Sequence, residues 1–191
     1  MTVKGHMVLA LLPIAAVMGP EALHHPVLLG AAAIGAVAPD IDEPGSYIGR
    51  RLPFLAYPLR WIGIKHRTLT HWLIFPLALL LFALPFRGEP WFPITIAFIY
   101  GVFMHDIGDM LTKRGIRGFF WPLFPKMTTR FLPRPFALHT GGWAEYLLVS
   151  ILIVLTGLLL IGVDMEGLFK IVKTAVVDMG RSFTEKGVAL F

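Results

Sequence analysis

Five apolar stretches, at residues 7–20, 26–39, 72–86, 91–108 and 143–163, punctuate the first 163 residues of this 191-residue chain. They constrain the fold more than any other feature, because this much apolar side chain exceeds what the interior of a domain this size can hide. Composition agrees: 56% of residues are hydrophobic, 15% are charged and mean hydropathy is +0.71, against roughly 45–50% and about 25% for a soluble domain. Lipid is therefore the expected solvent for much of the surface. Only the last stretch approaches the roughly 20 residues of a full span. The others are short and carry Pro13, Gly30, Gly35, Pro76 or Gly101. The expected fold is all-α: a polytopic membrane helix bundle of about five short or tilted helices with long ordered interfacial loops.

The start, MTVKGHMVLALLPIAAVMG, has the basic residue and apolar run of a secretory signal, but no Ala-x-Ala cleavage site follows it. It is expected to stay as a membrane helix. The connectors at 40–70 and 112–142 are rich in Pro, Arg and aromatic residues. They hold Arg50, Arg51, Arg60, Lys65, Arg67, Lys113, Arg114, Arg117, Lys126, Arg130 and Arg134, which with Lys4 make twelve of the seventeen Lys and Arg residues. The other two connectors hold only Arg87. If each apolar stretch crosses once, the N-terminus and both basic connectors share a side, and the positive-inside rule makes that side cytoplasmic. The same asymmetry accounts for a net charge of +5 and a pI near 9.7, so no nucleic-acid partner is expected. Residues 1–163 thus form a membrane-embedded domain. Residues 164–191 form a tail in which Leu168, Ile171, Val172, Ala175, Val176 and Met179 alternate with Lys170, Lys173, Asp178 and Arg181, the spacing of an amphipathic helix on a membrane surface.

Ionisable residues beside apolar helices are costly and call for a partner or a function. The chain has no cysteine, so a metal would be held by His, Asp or Glu. His105 and Asp109 are four apart at the end of a helical stretch, which puts imidazole and carboxylate on one face. A hydrogen-bonded His–Asp pair uses the same spacing. Asp106 points elsewhere, to orient a ligand or bind a lysine. Pro39 is expected to end the second helix and leave Asp40 and Asp42 on an extended segment, pointing the same way; solvated charges at a helix end are the plainer alternative. In Lys-His-Arg-Thr-Leu-Thr-His, Thr68 or Thr70 is expected to cap the next helix, with His66 on the loop, His71 in the first turn and Arg67 available to an anion. His6 opens the first stretch and Glu145 lies just inside the last. Under the alternating topology all of these reach one face. His24 and His25 fall on the other, and His139 shares the face but has no acidic neighbour in sequence.

Taken in order, His6, Pro-Asp-Ile-Asp at 39–42 with Ser46, His-Arg-Thr-Leu-Thr-His at 66–71, His-Asp-Ile-Gly-Asp-Met-Leu-Thr at 105–112 and Trp-Pro at 121–122 resemble the YdjM family over residues 1 to about 147. The resemblance implies a bacterial inner-membrane, metal-dependent hydrolase. It gives His6, Asp40, Asp42, His66, His71, His105 and Asp109 a metal-site role, with Arg67, Ser46, Thr112 and Glu145 as neighbours. Trp72 departs from it, standing where the family motif often has Ser.

The function expected from residues and resemblance together is hydrolysis of an ester or phosphoester in a membrane lipid or other amphiphile at the cytoplasmic face. One or two divalent ions, zinc or manganese, would acidify a water. Glu145 or Asp106 would act as general base and Arg67 would hold a phosphate. The motifs of zinc proteases and of serine hydrolases are absent from the sequence. A metal-ion or proton transporter and a non-catalytic, metal-stapled membrane protein are the competing classes.

Overall fold

The computed structural model describes residues 1–164 together with 166, 167, 170, 173, 174, 177 and 178. The amphipathic pattern expected at 168, 171, 172, 175, 176 and 179 lies outside the described residues. All five apolar stretches are helical: α1 (Val3–Met18), α2 (Pro26–Gly35), α4 (Ile74–Ala83), α5 (Phe92–Met110) and α6 (Trp143–Leu160), with a further helix, α3 (Pro53–Trp61), inside the second connector. α1 runs on through a 3-10 turn, and among the described residues the resulting Val3–His24 segment and α6 are the two helices long and apolar enough to cross a membrane. α2 and the Ile74–Phe86 segment are shorter and equally apolar. α5 is 19 residues long but carries His105, Asp106 and Asp109 in its last two turns.

The starts of α1 and α6 and the approach to α4 meet the ends of α2 and α5 at one pole, where Met1 reaches Asp109, Thr2 reaches Glu145, and His105 reaches both the Ala36 carbonyl and His71. α2 and α5 make the closest pairing, with α1 packed against both and against α6, and α4 against α5. Two glycines set the α2–α5 distance. A Cβ at Gly35 would lie 2.0 Å from the Phe98 carbonyl oxygen, and one at Gly101 would lie 2.1 Å from that of Ala32. Backbone-to-backbone contact of this kind is how small residues join helices where lipid offers no hydrophobic drive. It also brings the chain leaving α2, which carries Asp40, beside the last turns of α5, which carry His105.

Two local expectations are corrected. Residues Ala38–Asp42 form a 3-10 turn with Pro39 in its first positions, not an extended segment. Proline tolerates that place because the first amides of a helical turn have no partner to lose. Thr68 and Thr70 do not cap a helix; Leu69–His71 is itself a short 3-10 turn, and α4 starts only at Ile74 without a side-chain cap.

The two long connectors close the pole. α3 packs on the Ala38–Asp42 turn and buries only Ala56. In the other connector β1 (Ile116–Arg117) pairs antiparallel with β2 (Thr128–Thr129). Met110, Ile116 and Phe119 form a small core there, covered by Leu73 and Phe120. Trp72 stacks on Trp121 with centroids 4.8 Å apart and donates its indole N–H to the Arg117 carbonyl at 3.3 Å. That hydrogen bond gives Trp72 a partner that a Ser in its place could not reach in this way.

Candidate metal centre

Four donor atoms from three segments converge under this cover: the Ala38–Asp42 turn, the Leu69–His71 turn and the end of α5. His71 Nε2 lies 3.1 Å from His105 Nε2; Asp40 Oδ1 lies 3.6 Å from each of them; and Asp109 Oδ2 lies 3.8 Å from each. A tetrahedral ion with bonds of about 2.0–2.1 Å spans donor-to-donor edges of about 3.4 Å, so the cluster has the size of a coordination shell. His71, His105 and Asp109 are buried; Asp40 is half-buried.

The neighbours fix how the rings present themselves. His105 Nδ1 donates to the Ala36 carbonyl at 2.8 Å; a carbonyl only accepts, so the lone pair of His105 sits on Nε2, toward the cluster. The Thr70 hydroxyl donates to Asp42 Oδ2 at 2.8 Å and lies 3.0 Å from His71 Nδ1, leaving His71 Nε2 on the cluster side. Asp42 Oδ1 meets His66 Nδ1 at 2.8 Å, and Oδ2 also accepts the Arg67 backbone N–H at 3.1 Å. This carboxylate–histidine arrangement is the usual outer support of a metal ligand. The Ser46 hydroxyl donates to the Asp40 carbonyl at 2.8 Å and steadies the turn from outside.

Asp40 and Asp42 therefore do different jobs. Successive side chains diverge around a 3-10 turn, so Asp40 faces His71 and His105 while Asp42 faces His66 and Thr70. Burial pushes the Asp40 carboxyl up, but His71 and His105 outweigh it and bring it to about 2; Asp42 is likewise held down, by His66 and His71. Burial pushes the His71 imidazole down, yet Asp40 and Asp42 hold it up to about 10. The two carboxylates draw positive charge into the space between the imidazoles, whether as a proton on His71 or as a metal ion.

His6 completes the inner group. Its ring stacks on His105 with centroids 3.8 Å apart and planes 8° apart, and its Nε2 lies 3.5 Å from Asp109 Oδ1. Among the described residues both of its ring nitrogens are buried without a hydrogen-bond partner, as is Asp109 Oδ2. Gly108 makes the room: a Cβ there would lie 2.9 Å from His6 Nδ1. Donor groups that could share one ion are His6 with His105 and Asp109, and Asp40 with His66 and His71. Nitrogen and carboxylate donors without sulfur suit zinc or manganese, and an ion would satisfy Asp109 Oδ2 and one of the two orphaned His6 nitrogens, so the residues fit a resident divalent metal.

Arg67 sits above the centre in the left-handed backbone region, at φ 63°, where a residue with a Cβ is strained. Its guanidinium donates to Asp109 Oδ1 at 2.7 Å and to the Gly115 carbonyl at 3.1 Å. The Met1 amino group reaches the same carboxylate oxygen at 2.6 Å. Thr112 donates to the Asp109 carbonyl at 2.7 Å. A pocket of about 410 Å³ opens over these groups, bounded by Asp40, His66, Arg67, Asp109, Lys113 and Arg114, with His139 at its edge.

The structure brings all seven expected ligands to this pole, with His66 and Asp42 one step out from the four convergent donors. Asp106 and Glu145 do not line the pocket. Asp106 is fully buried, and among the described residues neither of its oxygens has a partner. Glu145 accepts the backbone amides of Thr2 at 2.5 Å and Gly141 at 2.8 Å, which ties α1 to the start of α6. Lys113, Arg114 and His139 were not in the expected set. Lys113 and Arg114 follow directly on the His105–Thr112 motif, which is the signal that could have found them; His139 is brought in because the Lys113 amide and Thr112 pair with Leu138, a contact between distant segments.

The arrangement has relatives. The chain is similar to the uncharacterized protein YvsG of Bacillus subtilis (strain 168), 35% identical over 126 residues, which cover 65% of this chain and 73% of that protein. It is similar to the inner membrane protein YdjM of Escherichia coli (strain K12) and that of Shigella flexneri, 33% identical over 134 residues in each case, covering 64% of this chain and 66% of theirs. No solved structure matches. The YdjM inner membrane protein family matches residues 1–168, nearly the whole chain and every residue of the centre, and the chain belongs to that family.

Proposed function

We propose that this protein is a membrane-embedded, metal-dependent hydrolase that cleaves an ester or phosphoester in a lipid or other amphiphile at the cytoplasmic face of a bacterial inner membrane. In this reading the chain crosses several times, with its N-terminus and the metal pole cytoplasmic. The observation that carries it is the convergence of Asp40, His71, His105 and Asp109 at 3.1–3.8 Å beneath a pocket edged by Arg67, Lys113 and Arg114. Asp40, His71, His105 and Asp109 would hold a zinc or manganese ion, which would supply Lewis acidity and make water more acidic.

The chain's own groups do the rest. Arg67, Lys113 and Arg114 hold the anionic part of the substrate, Arg67 by its planar fork and the lysine as a point charge. Asp42 holds His66 through Nδ1, which leaves Nε2 as the nitrogen that accepts a proton from water and returns it to the leaving group. Asp42, Thr70 and the Ala36 carbonyl keep the rings in register, so little reorganisation is needed during reaction. Basic surroundings favour a phosphoester over a neutral ester.

The test is turnover by detergent-purified protein on amphiphilic phosphoesters and carboxylic esters, with zinc or manganese supplied. Wild type should turn over. His105→Ala should lose both metal and activity, whereas His66→Gln should keep the metal and lose at least about 100-fold in kcat, the scale of a general base. Bound metal with no turnover on either class would overturn the hydrolase reading.

A further inference from the structure

The helix α3 is unlike the rest of the pole. Phe54, Tyr57, Pro58 and Trp61 recur at the i, i+3, i+4, i+7 spacing of one helical face, and they form a single apolar groove. That face looks outward: Phe54 is 68% and Trp61 79% exposed, while Ala56, on the other side, is buried. Exposed Arg50 and Arg51 precede the stripe and exposed Lys65 follows it, while Arg60 at its end pairs with Glu43 at 3.4 Å. No acidic residue occurs from Pro44 to Lys65. A short helix with an aromatic face and cations at both ends matches the headgroup boundary of a leaflet, where rings take the acyl side and guanidinium groups take the phosphates. The other connector repeats the chemistry. Between Asp109 and Glu145 it has no acidic residue, and it exposes Leu123, Phe124 and Phe136 among Lys126, Arg130 and Arg134.

We infer that α3 is an interfacial anchor that seats the metal pole on an anionic lipid leaflet, its Phe54–Trp61 stripe in the acyl boundary and Arg50, Arg51 and Lys65 on lipid phosphates. α3 packs directly on the Ala38–Asp42 turn, so its depth sets the height of Asp40 and Asp42 relative to the headgroups. The inference rests on membrane residence and not on hydrolysis. A failure of turnover leaves it standing, and its failure leaves the metal centre standing.

The chain has no cysteine, so single-cysteine variants Phe54→Cys, Trp61→Cys and Gly45→Cys can each carry one nitroxide. The full chain is reconstituted in phosphatidylcholine vesicles with and without phosphatidylglycerol, and label collisions with oxygen and with a water-soluble nickel chelate are compared. With phosphatidylglycerol, labels at 54 and 61 should meet oxygen and be shielded from the chelate, while a label at 45 meets the chelate. Arg50→Gln and Arg51→Gln should each shift the lipid–water equilibrium of these labels toward water about fivefold, the equivalent of about 1 kcal/mol per basic side chain at an anionic surface. Chelate access at 54 and 61 in both vesicle types would overturn the inference. So would equal shielding with and without phosphatidylglycerol, or disulfide-linked dimers of unlabelled Phe54→Cys, which would give the stripe to a second copy of the chain.

Discussion

His24 and Glu21 meet at the pole where α1 runs out; His71 and Asp42 meet at the pole where α1 begins. Both are histidine–carboxylate pairs, 3.2 and 3.4 Å apart. The first lies within one turn of chain, with side chains 74% and 73% exposed. The second joins segments 29 residues apart, and both side chains are fully buried. An exposed pair contributes about 0–1 kcal/mol because water solvates either partner alone. A buried pair whose partner is removed costs about 3–5 kcal/mol, because the remaining group has nowhere else to turn. Burial, and not residue type, separates a surface contact from a centre whose geometry the fold must hold.

The hardest way to break that contrast is Asp42→Ala. It strips the acceptor from His66, Thr70 and the Arg67 amide at once, and unfolding in detergent should show a loss of about 3–5 kcal/mol. Next is Gly101→Ala, which touches no donor but forces α5 away from Ala32. It should cost about 1–3 kcal/mol and lower metal content, since the same crossing sets Asp40 beside His105; normal metal loading would show that the crossing does not position the centre. Thr70→Val is milder. The fold should stand while metal affinity, measured by competition with a chelator, falls about 10- to 100-fold. His24→Ala sits at the bottom, within about 0.5 kcal/mol of wild type, and a larger loss there would remove the contrast.

Much of this was legible in the sequence, and the boundary is informative. The helical stretches follow from apolar content alone, and His105 with Asp109 follows from a spacing of four, because both depend on one segment's own periodicity. The separation of Asp40 from Asp42 was not legible: it depends on a 3-10 turn whose partners, His71 and His66, come from a different segment. Thr70 looked like a helix cap for the same reason, since its hydroxyl is engaged by a carboxylate 28 residues away. Glu145 shares the pole as expected, but its pairing with the amides of Thr2 and Gly141 depends on where α1 and α6 begin. His139 had no acidic neighbour in sequence to recommend it and is brought to the pocket edge by the pairing at Leu138. α3 was hidden inside a connector because nine residues are too few to stand out as an apolar stretch.

The centre itself is tested most directly by X-ray absorption on protein purified without chelators, beside His71→Ala and His105→Ala. The expected result is stoichiometric zinc or manganese in wild type, with nitrogen and oxygen neighbours at about 2.0–2.2 Å, imidazole among them, and its loss from both variants. Folded wild-type protein that carries no divalent metal and takes none up when zinc or manganese is supplied would contradict the account.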